Sequence, residues 1–174
     1  MEVAMDGHLQ AVAQAIQERF GAEIHRYAGD TSLILAAGHN VEALTALRDE
    51  YSFDMFIAAT AVDYWPQLEP RFHVLYFIYS MKHNINLMVR VPLNGNAPHL
   101  RTVEGIFPNA NWYEREMFDM FGVTFTGHSD LRRILMPKDW QGHPLRKDYP
   151  LGYEEVRFTF NKEEIDRRKP LAQE

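Results

Sequence analysis

The stretch at residues 72–79 constrains the fold most, because its side chains are apolar on both sides of an extended chain. A strand with two apolar faces is usually a central strand that is covered twice. Residues 85–91 follow a short turn and alternate between apolar and polar side chains, the pattern of a half-buried strand. These two strands are expected to pair antiparallel, and Pro92 is expected to end the second. The first strand carries Phe72, Val74, Tyr76 and Ile78 on one face and His73, Leu75, Phe77 and Tyr79 on the other.

The residues before these strands predict a helix and a hairpin. Apolar side chains recur at helical spacing in residues 9–20. Asp6 is placed to cap the start of this helix and Gly21 to end it. Residues 22–27 and 31–36 flank an Ala-Gly-Asp turn, which predicts a β-hairpin.

A second helix and one more strand complete the predicted domain. Asn40 is expected to cap a helix that runs to about Asp49. Residues 53–62 are rich in aromatic and small apolar side chains and predict a strand. The resulting order, α-β-β-α-β-β-β, predicts an α+β fold. We expect a two-layer domain over residues 1–110, with helices packed on a mixed sheet of about five strands.

Residues 111–150 differ from the rest of the chain in their density of charged, aromatic, Gly and Pro residues. They hold six acids and six bases, so their formal charge is zero in a chain of net charge −6. Balanced charge interleaved with rings is typical of ion pairs and aromatic anchors against a defined partner. Gly and Pro punctuate the second half, so little after Phe121 is expected to be regular.

The first part of this segment predicts a third helix, over residues 112–121. Thr102 and residues 109–111 are two positions that could each cap a helix; the second leads into this helix, and Gly122 closes it. Arg115 and Asp119 are spaced to form an ion pair on its surface. Short extended pieces are expected at 123–125 and 133–136. One apolar face of this helix is formed by Tyr113, Met117, Met120 and Phe121.

Two segments carry a family resemblance: EREMFDMFGVTFTGHSDLRRIL at 114–135 and PKDWQGHPLRKDYPL at 137–151. They resemble the signature of the C subunit of the proton-pumping NADH:quinone oxidoreductase, respiratory complex I. The match covers residues 112–151 nearly without a gap. One departure is Ser129, where the family usually has Pro; a Ser hydroxyl can also support a turn. The same family supplies equivalent subunits to membrane-bound hydrogenases and other respiratory dehydrogenases.

The resemblance implies a structural and assembly subunit rather than a redox carrier. It implies no cofactor in this chain, with iron–sulfur clusters, FMN and quinone held by partner subunits. The implied partners are the quinone-site subunit, known as the D subunit, and nearby iron–sulfur subunits. The implied location is the cytoplasmic face of the bacterial inner membrane, with membrane contact only through those partners. Holding subunits in one arrangement fixes distances between redox centres and the quinone site, where errors of about 1 Å are expensive.

We expect the partner interface to lie in the signature region, residues 111–152, which combines the third helix with an extended segment that clamps a partner. Trp112 is open to two interpretations, as a core ring or as an interface anchor, whereas Trp140 and Tyr149 favour the interface. The tail, residues 153–174, is polar, and residues 156–160 are patterned to add an edge strand. The expected interface residues are Glu114, Arg115, Asp119, His128, Arg132, Arg133, Asp139, Trp140, His143, Arg146, Lys147, Asp148 and Tyr149.

Composition excludes several classes of function. The chain has no cysteine, which removes disulfides, thiolate nucleophiles and the usual iron–sulfur ligands. Its sequence pI of about 5.7 argues against nucleic-acid binding. Its densest apolar run, residues 74–79, is far shorter than the ~20 residues that span a bilayer. The first ten residues do not have the pattern of a signal peptide.

Other chemistries fit the same residues less well. Both His128 and His143 follow Gly, and such histidines more often bind backbone carbonyls than a metal with Asp130 or Asp139. Each Arg pair of the segment adjoins an acid, which favours carboxylate partners over phosphate. Ser129 follows His128 but lacks the setting of a nucleophile elbow. The rival hypothesis from a different class is a soluble enzyme with an acid/base site at Glu114, Glu116 and Asp119.

Overall fold

The computed structural model describes residues 2–95, 97–150, 160 and 163–164, with side chains from residue 7 onward. The predicted edge strand at 156–160, apart from Phe160, and most of the predicted tail lie outside these residues. The elements are α1 Glu2–Phe20, β1 Glu23–Tyr27, β2 Asp30–Ile34, a 3-10 turn Ala37–His39, α2 Asn40–Asp49, β3 Met55–Asp63, β4 Phe72–Ser80, β5 Ile85–Leu93, β6 His99–Arg101, α3 Ala110–Phe121 and β7 Thr124–Thr126.

The main sheet is mixed and has five strands in the order β1-β2-β5-β4-β3. The β1–β2, β5–β4 and β4–β3 pairs are antiparallel, and β2 pairs with β5 in parallel. The predicted α+β fold and element order are therefore confirmed. The hairpin turn is made by Ala28 and Gly29, both at positive φ, as a two-residue hairpin loop requires.

One core lies between the helices and one face of this sheet. Ile16 of α1 and Leu44 and Leu47 of α2 are fully buried in the same cluster as Val74 and Tyr76 of β4. On β4 the buried positions alternate with half-buried ones. The described part of the chain therefore buries one face of β4 fully and leaves the other face half-buried. No helix in that part is both long and apolar enough to cross a bilayer.

The caps predicted for the starts of α1 and α2 are wrong. α1 begins at Glu2, so Asp6 lies within the helix, although Gly21 ends it at φ +68° as predicted. Asn40 forms no capping bond to α2. Its amide Nδ2 instead donates to the Arg101 carbonyl at 2.8 Å, because its side chain is buried where α2 meets β6.

β6 and β7 form a small parallel sheet that fixes the two ends of α3. β7 confirms the extended piece predicted at 123–125, whereas residues 133–136 form no strand. No helix follows Thr102; its hydroxyl accepts the Glu104 N–H at 3.2 Å and supports a turn. We call residues 127–150, which follow β7 without regular structure, the arm.

Candidate functional site

α3 carries the start of the signature and packs against the edge strand β3. Its apolar side chains Met117, Met120 and Phe121 are buried, and Tyr113 is partly buried, as the spacing predicts. The Tyr113 hydroxyl donates to the Ile57 carbonyl at 3.1 Å. Asn109 occupies the N-cap position, but its amide donates to the Phe56 carbonyl at 2.9 Å instead of capping the helix. Side chains of α3 thus satisfy carbonyls along the outer edge of β3.

Asp119 fastens the arm to the C-terminal half of α3. Its Oδ1 lies 2.6 Å from Nη1 of Arg133. Its Oδ2 accepts three successive backbone N–H groups, those of residues 134–136, at 2.8–3.1 Å. Burial alone raises the pKa of Asp119, but the hydrogen bonds from Met136, Arg133 and their neighbours outweigh it and hold the pKa below its ordinary value.

The predicted pair of Arg115 with Asp119 is wrong, because both side chains turn to the arm. Nε of Arg115 donates to the Arg132 carbonyl at 3.1 Å and Nη2 to the Arg133 carbonyl at 3.2 Å. Arg133, which pairs with Asp119, also donates from Nη2 to the carbonyls of Trp140 and Gly142 at 3.0 and 2.9 Å. The two arginines therefore join α3 to the arm and one part of the arm to another.

The arm crosses the C-terminal end of α3 in close contact with Gly122. Nδ1 of His143 lies 3.0 Å from the Asp119 carbonyl, and Nε of Arg146 donates to the Phe121 carbonyl at 2.6 Å. Gly122 has φ +73°, and a Cβ there would stand 2.5 Å from the Arg146 guanidinium and 2.6 Å from the His143 ring. Only glycine fits this position without displacing the arm.

The end of the arm is bound to the sheet by a buried arginine. Arg71, between β3 and β4, is 1% exposed and pairs with Asp63 at 3.0 Å and with Asp148 at 2.7 Å. Asp63 also accepts the backbone N–H of Lys147 at 2.9 Å. Hydrogen bonding to Arg71 lowers the pKa of Asp148. Asp63 and Arg71 lie outside the signature, so the sequence analysis did not predict them as site residues. The available signal was their position, one on each side of a loop that contains two prolines.

Glu114 occupies a different environment at the start of α3. It is fully buried and accepts the Val103 N–H at 2.8 Å and the Thr102 hydroxyl. Within the described residues its nearest ionisable nitrogen is Nε2 of His128, 3.9 Å away. Burial raises the pKa of Glu114 to about 7, and the two hydrogen bonds only partly offset this.

His128 binds backbone groups, as its position after Gly127 predicts. Its Nε2 lies 3.2 Å from the Asn111 carbonyl, and its Nδ1 accepts the Asp130 N–H at 3.0 Å. This arrangement requires a neutral ring with the proton on Nε2. His128 therefore joins the first turn of the arm to the first turn of α3.

The remaining predicted residues lie farther out on the arm. Arg132 is exposed and pairs with Asp130 at 2.8 Å, a contact of little energetic weight. Asp139 and the Lys147 side chain are exposed. Trp140 is half-buried, and its indole Nε1 is buried without a hydrogen-bond partner among the described residues. The half-buried Tyr149 ring packs over Gly142, where a Cβ would stand 2.8 Å from it.

The charged groups of the arm are thus mostly satisfied within the chain, while several of its large apolar side chains are not covered. Leu135 is 62% exposed and Leu145 is 52% exposed. Trp112 is 59% exposed, so its interpretation as a core ring is wrong. The Leu135 N–H donates to the Asp119 carboxylate, and the Leu145 N–H donates to the Met120 carbonyl. Both residues therefore lie beside the C-terminal half of α3. We call the exposed side chains along α3, namely Trp112, Ile134, Leu135 and Leu145, the α3–arm face.

The geometry does not support an acid/base site. Glu114 and Asp119 are fully buried in separate hydrogen-bond networks, whereas Glu116 is exposed. A surface depression of about 430 Å³ near the start of α3 is lined by none of these three carboxylates. In the described part of the chain, no three His, Asp or Glu side chains are grouped to hold a metal ion.

Comparisons with known proteins agree with the signature. The family model described as "Respiratory-chain NADH dehydrogenase, 30 Kd subunit" matches residues 33–155. The C subunit of NADH-quinone oxidoreductase from Roseiflexus sp. (strain RS-1) is 45% identical over 150 residues, which cover 85% of this chain and 86% of that one. The protein of the same name from Methylobacterium radiotolerans is 42% identical over 159 residues, covering 88% and 73%.

Two solved structures share the fold. One is described as Nqo5 of the trypsin-resistant fragment (1-134), with a TM-score of 0.63 and 28% identity over 71% of this chain and 99% of that chain. The other belongs to the membrane-bound sulfane sulfur reductase, an archaeal respiratory membrane complex, with a TM-score of 0.72 and 21% identity over 95% of both chains. The second likeness concerns the fold alone. Together with the signature, these matches show that the chain belongs to the family of the 30 kDa subunit, or C subunit, of respiratory-chain NADH dehydrogenase.

Proposed function

We propose that this chain is a cofactor-free structural and assembly subunit in the peripheral arm of a proton-translocating NADH:quinone oxidoreductase. The observation that carries the proposal is the α3–arm face, where apolar side chains stand exposed on α3 and on an arm that internal contacts join to the body. Contacts that position the arm before it binds lower the ordering entropy that opposes docking. The absence of cysteine supports a role without an iron–sulfur cluster.

The proposed partner of the α3–arm face is the quinone-site subunit, with iron–sulfur subunits nearby. The family resemblance of the signature supports this choice, and the signature supplies every side chain of the face. The protein would sit on the cytoplasmic side of the bacterial inner membrane and contact the membrane only through its partners. Relatives at 40–47% identity bear the name of the C subunit of NADH-quinone oxidoreductase, which favours this complex over a hydrogenase-type one.

The proposed mechanism is preorganisation. Three regions position the arm: Asp119 with Arg133, Gly122 with Arg146, and Asp63 with Arg71 and Asp148. An arm fixed in this way presents one arrangement to the neighbouring subunit and holds the distance between redox centre and quinone site. We propose that the core, residues 1–110, serves as the body that carries this arm.

Leu135→Asp tests the docking role. Placing a charge at the centre of a buried apolar interface is expected to reduce the yield of assembled complex about tenfold or more, since a hot-spot contact is worth ~2 kcal/mol. The measurement is the amount of this protein that co-purifies with gently solubilised complex from membranes. Because the Leu135 side chain is exposed in the isolated chain, we expect the variant and the parent protein to have the same melting temperature.

Met81→Asp is the matched control. Met81 is 66% exposed in the turn between β4 and β5, at the opposite end of β4 from Arg71. We expect this variant to assemble normally. Normal assembly of Leu135→Asp would remove the α3–arm face as the docking surface. Normal assembly with lost electron transfer would instead indicate a catalytic role.

A further inference from the structure

The face of the main sheet that is turned away from the helices is apolar and half-buried. In the strand register Leu75 lies between Thr60 and Arg90, and Phe77 lies between Ala58 and Met88. None of these side chains is fully exposed and none is fully buried. We call the following set the outer sheet face: Ile34, Thr60, Val62, His73, Leu75, Phe77, Tyr79, Met88, Arg90 and Pro92.

A sheet that is apolar on both faces is normally covered on both of them by other elements. β4 lies inside the sheet and is apolar on both faces. The buried apolar side chains of α1, α2 and α3 join the core on the other face. The described part of the chain therefore covers one face of the sheet fully and leaves the outer face half-buried.

The outer sheet face carries one cation, Arg90, that has no counter-ion among the described residues. Nε of Arg90 donates to Nδ1 of His73 at 2.6 Å, and Nη2 donates to the Tyr64 hydroxyl. Burial and the neighbouring Arg90 lower the pKa of His73 to about 4, so the imidazole is a neutral acceptor at neutral pH. In the part of the chain that the structure describes, no carboxylate lies within 4 Å of Arg90.

The charge on Arg90 specifies what can cover this face. A cover that is wholly apolar would bury the Arg90 guanidinium without a counter-ion, which is strongly unfavourable. A cover that presents a carboxylate to the free N–H groups of Arg90 would satisfy them, because the Arg fork matches carboxylate geometry. The surrounding side chains Leu75, Phe77 and Met88 require apolar contacts.

We propose that the outer sheet face is a second docking surface, covered in the assembled complex by a neighbouring subunit that presents apolar side chains around a carboxylate for Arg90. The proposal uses residues that the α3–arm face does not contain. It therefore stands or falls separately from the docking of the arm. The test distinguishes this partner from two other possible covers of the face, which are residues 151–174 of the same chain and a second copy of the chain.

The absence of cysteine makes a direct accessibility test possible. Leu75→Cys places the sole thiol of the chain at the centre of the outer sheet face. We expect a maleimide dye to label this thiol in the purified full-length monomer, although more slowly than Met81→Cys, because position 75 is half-buried and position 81 is exposed. In the assembled complex we expect labelling of Leu75→Cys to fall at least about tenfold, as burial in an interface core requires.

Each other result overturns the proposal. Unchanged labelling in the complex would show an open face. Protection in the isolated monomer that is lost on truncation after Pro150 would show that the chain covers itself. Protection in a purified dimer would show a second copy as the cover.

Charge variants of Arg90 test the carboxylate. Arg90→Glu would face the partner's carboxylate with a like charge, and we expect it to lower the yield of assembled complex about tenfold. Arg90→Lys keeps the charge but loses the guanidinium fork, and it is expected to retain more of the yield than Arg90→Glu. The melting temperature of each isolated variant monitors folding. Equal yields for Arg90→Glu and Arg90→Lys would overturn the predicted partner chemistry, and Leu75→Cys labelling decides the docking surface independently.

Discussion

Two buried carboxylates on α3 show how local partners decide the state of a residue. Glu114 and Asp119 are both fully buried on the same helix. Asp119 accepts bonds from one guanidinium and three N–H groups, and its pKa is lowered. Among the described residues Glu114 accepts from a hydroxyl and one N–H without a cation in contact, and its pKa rises to about 7. Burial raises the pKa of both groups, and only at Asp119 do the guanidinium and the three N–H groups outweigh it.

Glu114→Gln is expected to change how stability depends on pH. An acid whose pKa is raised on folding binds its proton more tightly in the folded state, so it lowers stability as pH rises from its ordinary value, about 4.5, to about 7. A glutamine donates to Thr102 and accepts from Val103 without this penalty. We expect the variant to gain up to about 3 kcal/mol relative to the parent between pH 5 and pH 8, at 1.36 kcal/mol per unit. Urea unfolding at a series of pH values measures this.

Glu116→Gln is the control for that experiment, because Glu116 is exposed on the same helix. Its unfolding free energy is expected to follow the parent at every pH. A Glu114→Gln curve parallel to that of the parent would show that the Glu114 carboxyl is ionised throughout and that another cation neutralises it.

At the scale of elements, the path of the arm depends on one glycine. Gly122→Ala places a methyl group into the Arg146 guanidinium and the His143 ring, and its φ of +73° is unfavourable for alanine. Gly21→Ala has a similar φ of +68° with nothing within 4 Å. We expect Gly21→Ala to lower the unfolding free energy by ~1–2 kcal/mol, because alanine is strained in the left-handed conformation and meets no other obstacle there. Gly122→Ala is expected to lose clearly more and to make the arm sensitive to trypsin.

Urea unfolding and the rate of tryptic cleavage in the arm measure both variants. Arg132, Lys138 and Lys147 are exposed cleavage sites there. If both variants lose the same unfolding free energy and the cleavage rate does not change, the path of the arm does not depend on the absence of a side chain at Gly122.

The elements were predictable from sequence wherever periodicity decided them, and less so where tertiary contacts did. Apolar alternation predicted β4 and β5, and the apolar face of α3 was predicted from its spacing. The caps failed at Asn40 and Asn109, because both amides satisfy carbonyls of distant elements. The Arg115–Asp119 pair failed for the same reason, since a weak local pair yields to buried carbonyls and to Arg133.

The candidate site was predictable in its location but not in its geometry. The signature identified the residues of α3 and the arm, and it implied that their charges meet a partner. In the structure most of those charges meet one another or the body of the domain, and Asp63 and Arg71 come from outside the signature. Sequence spacing does not reveal contacts between residues that are 77 or 84 positions apart, such as those joining the arm to the sheet.

At the scale of the whole molecule, Arg71 connects the stability of the body with the position of the arm. It pairs with the buried Asp63 on one side and with the half-exposed Asp148 on the other. Asparagine substitutions at the two acids therefore separate the two roles. Asp63→Asn breaks a buried pair and is expected to lower the unfolding free energy by ~3–5 kcal/mol. Asp148→Asn alters a partly exposed pair and is expected to lower it by less than ~1 kcal/mol.

Assembly is expected to respond differently from stability. Asp148→Asn releases the end of the arm from a folded body, so the yield of co-purified complex should fall several-fold although the isolated protein melts normally, because ordering the arm again opposes docking. Asp139→Asn, at an exposed position on the same arm, should change neither quantity. The measurements are urea unfolding of the isolated protein and its yield in solubilised complex. Full assembly of Asp148→Asn would show that the arm need not be held before it docks. A loss of stability as large as that of Asp63→Asn would place the end of the arm within the cooperative core.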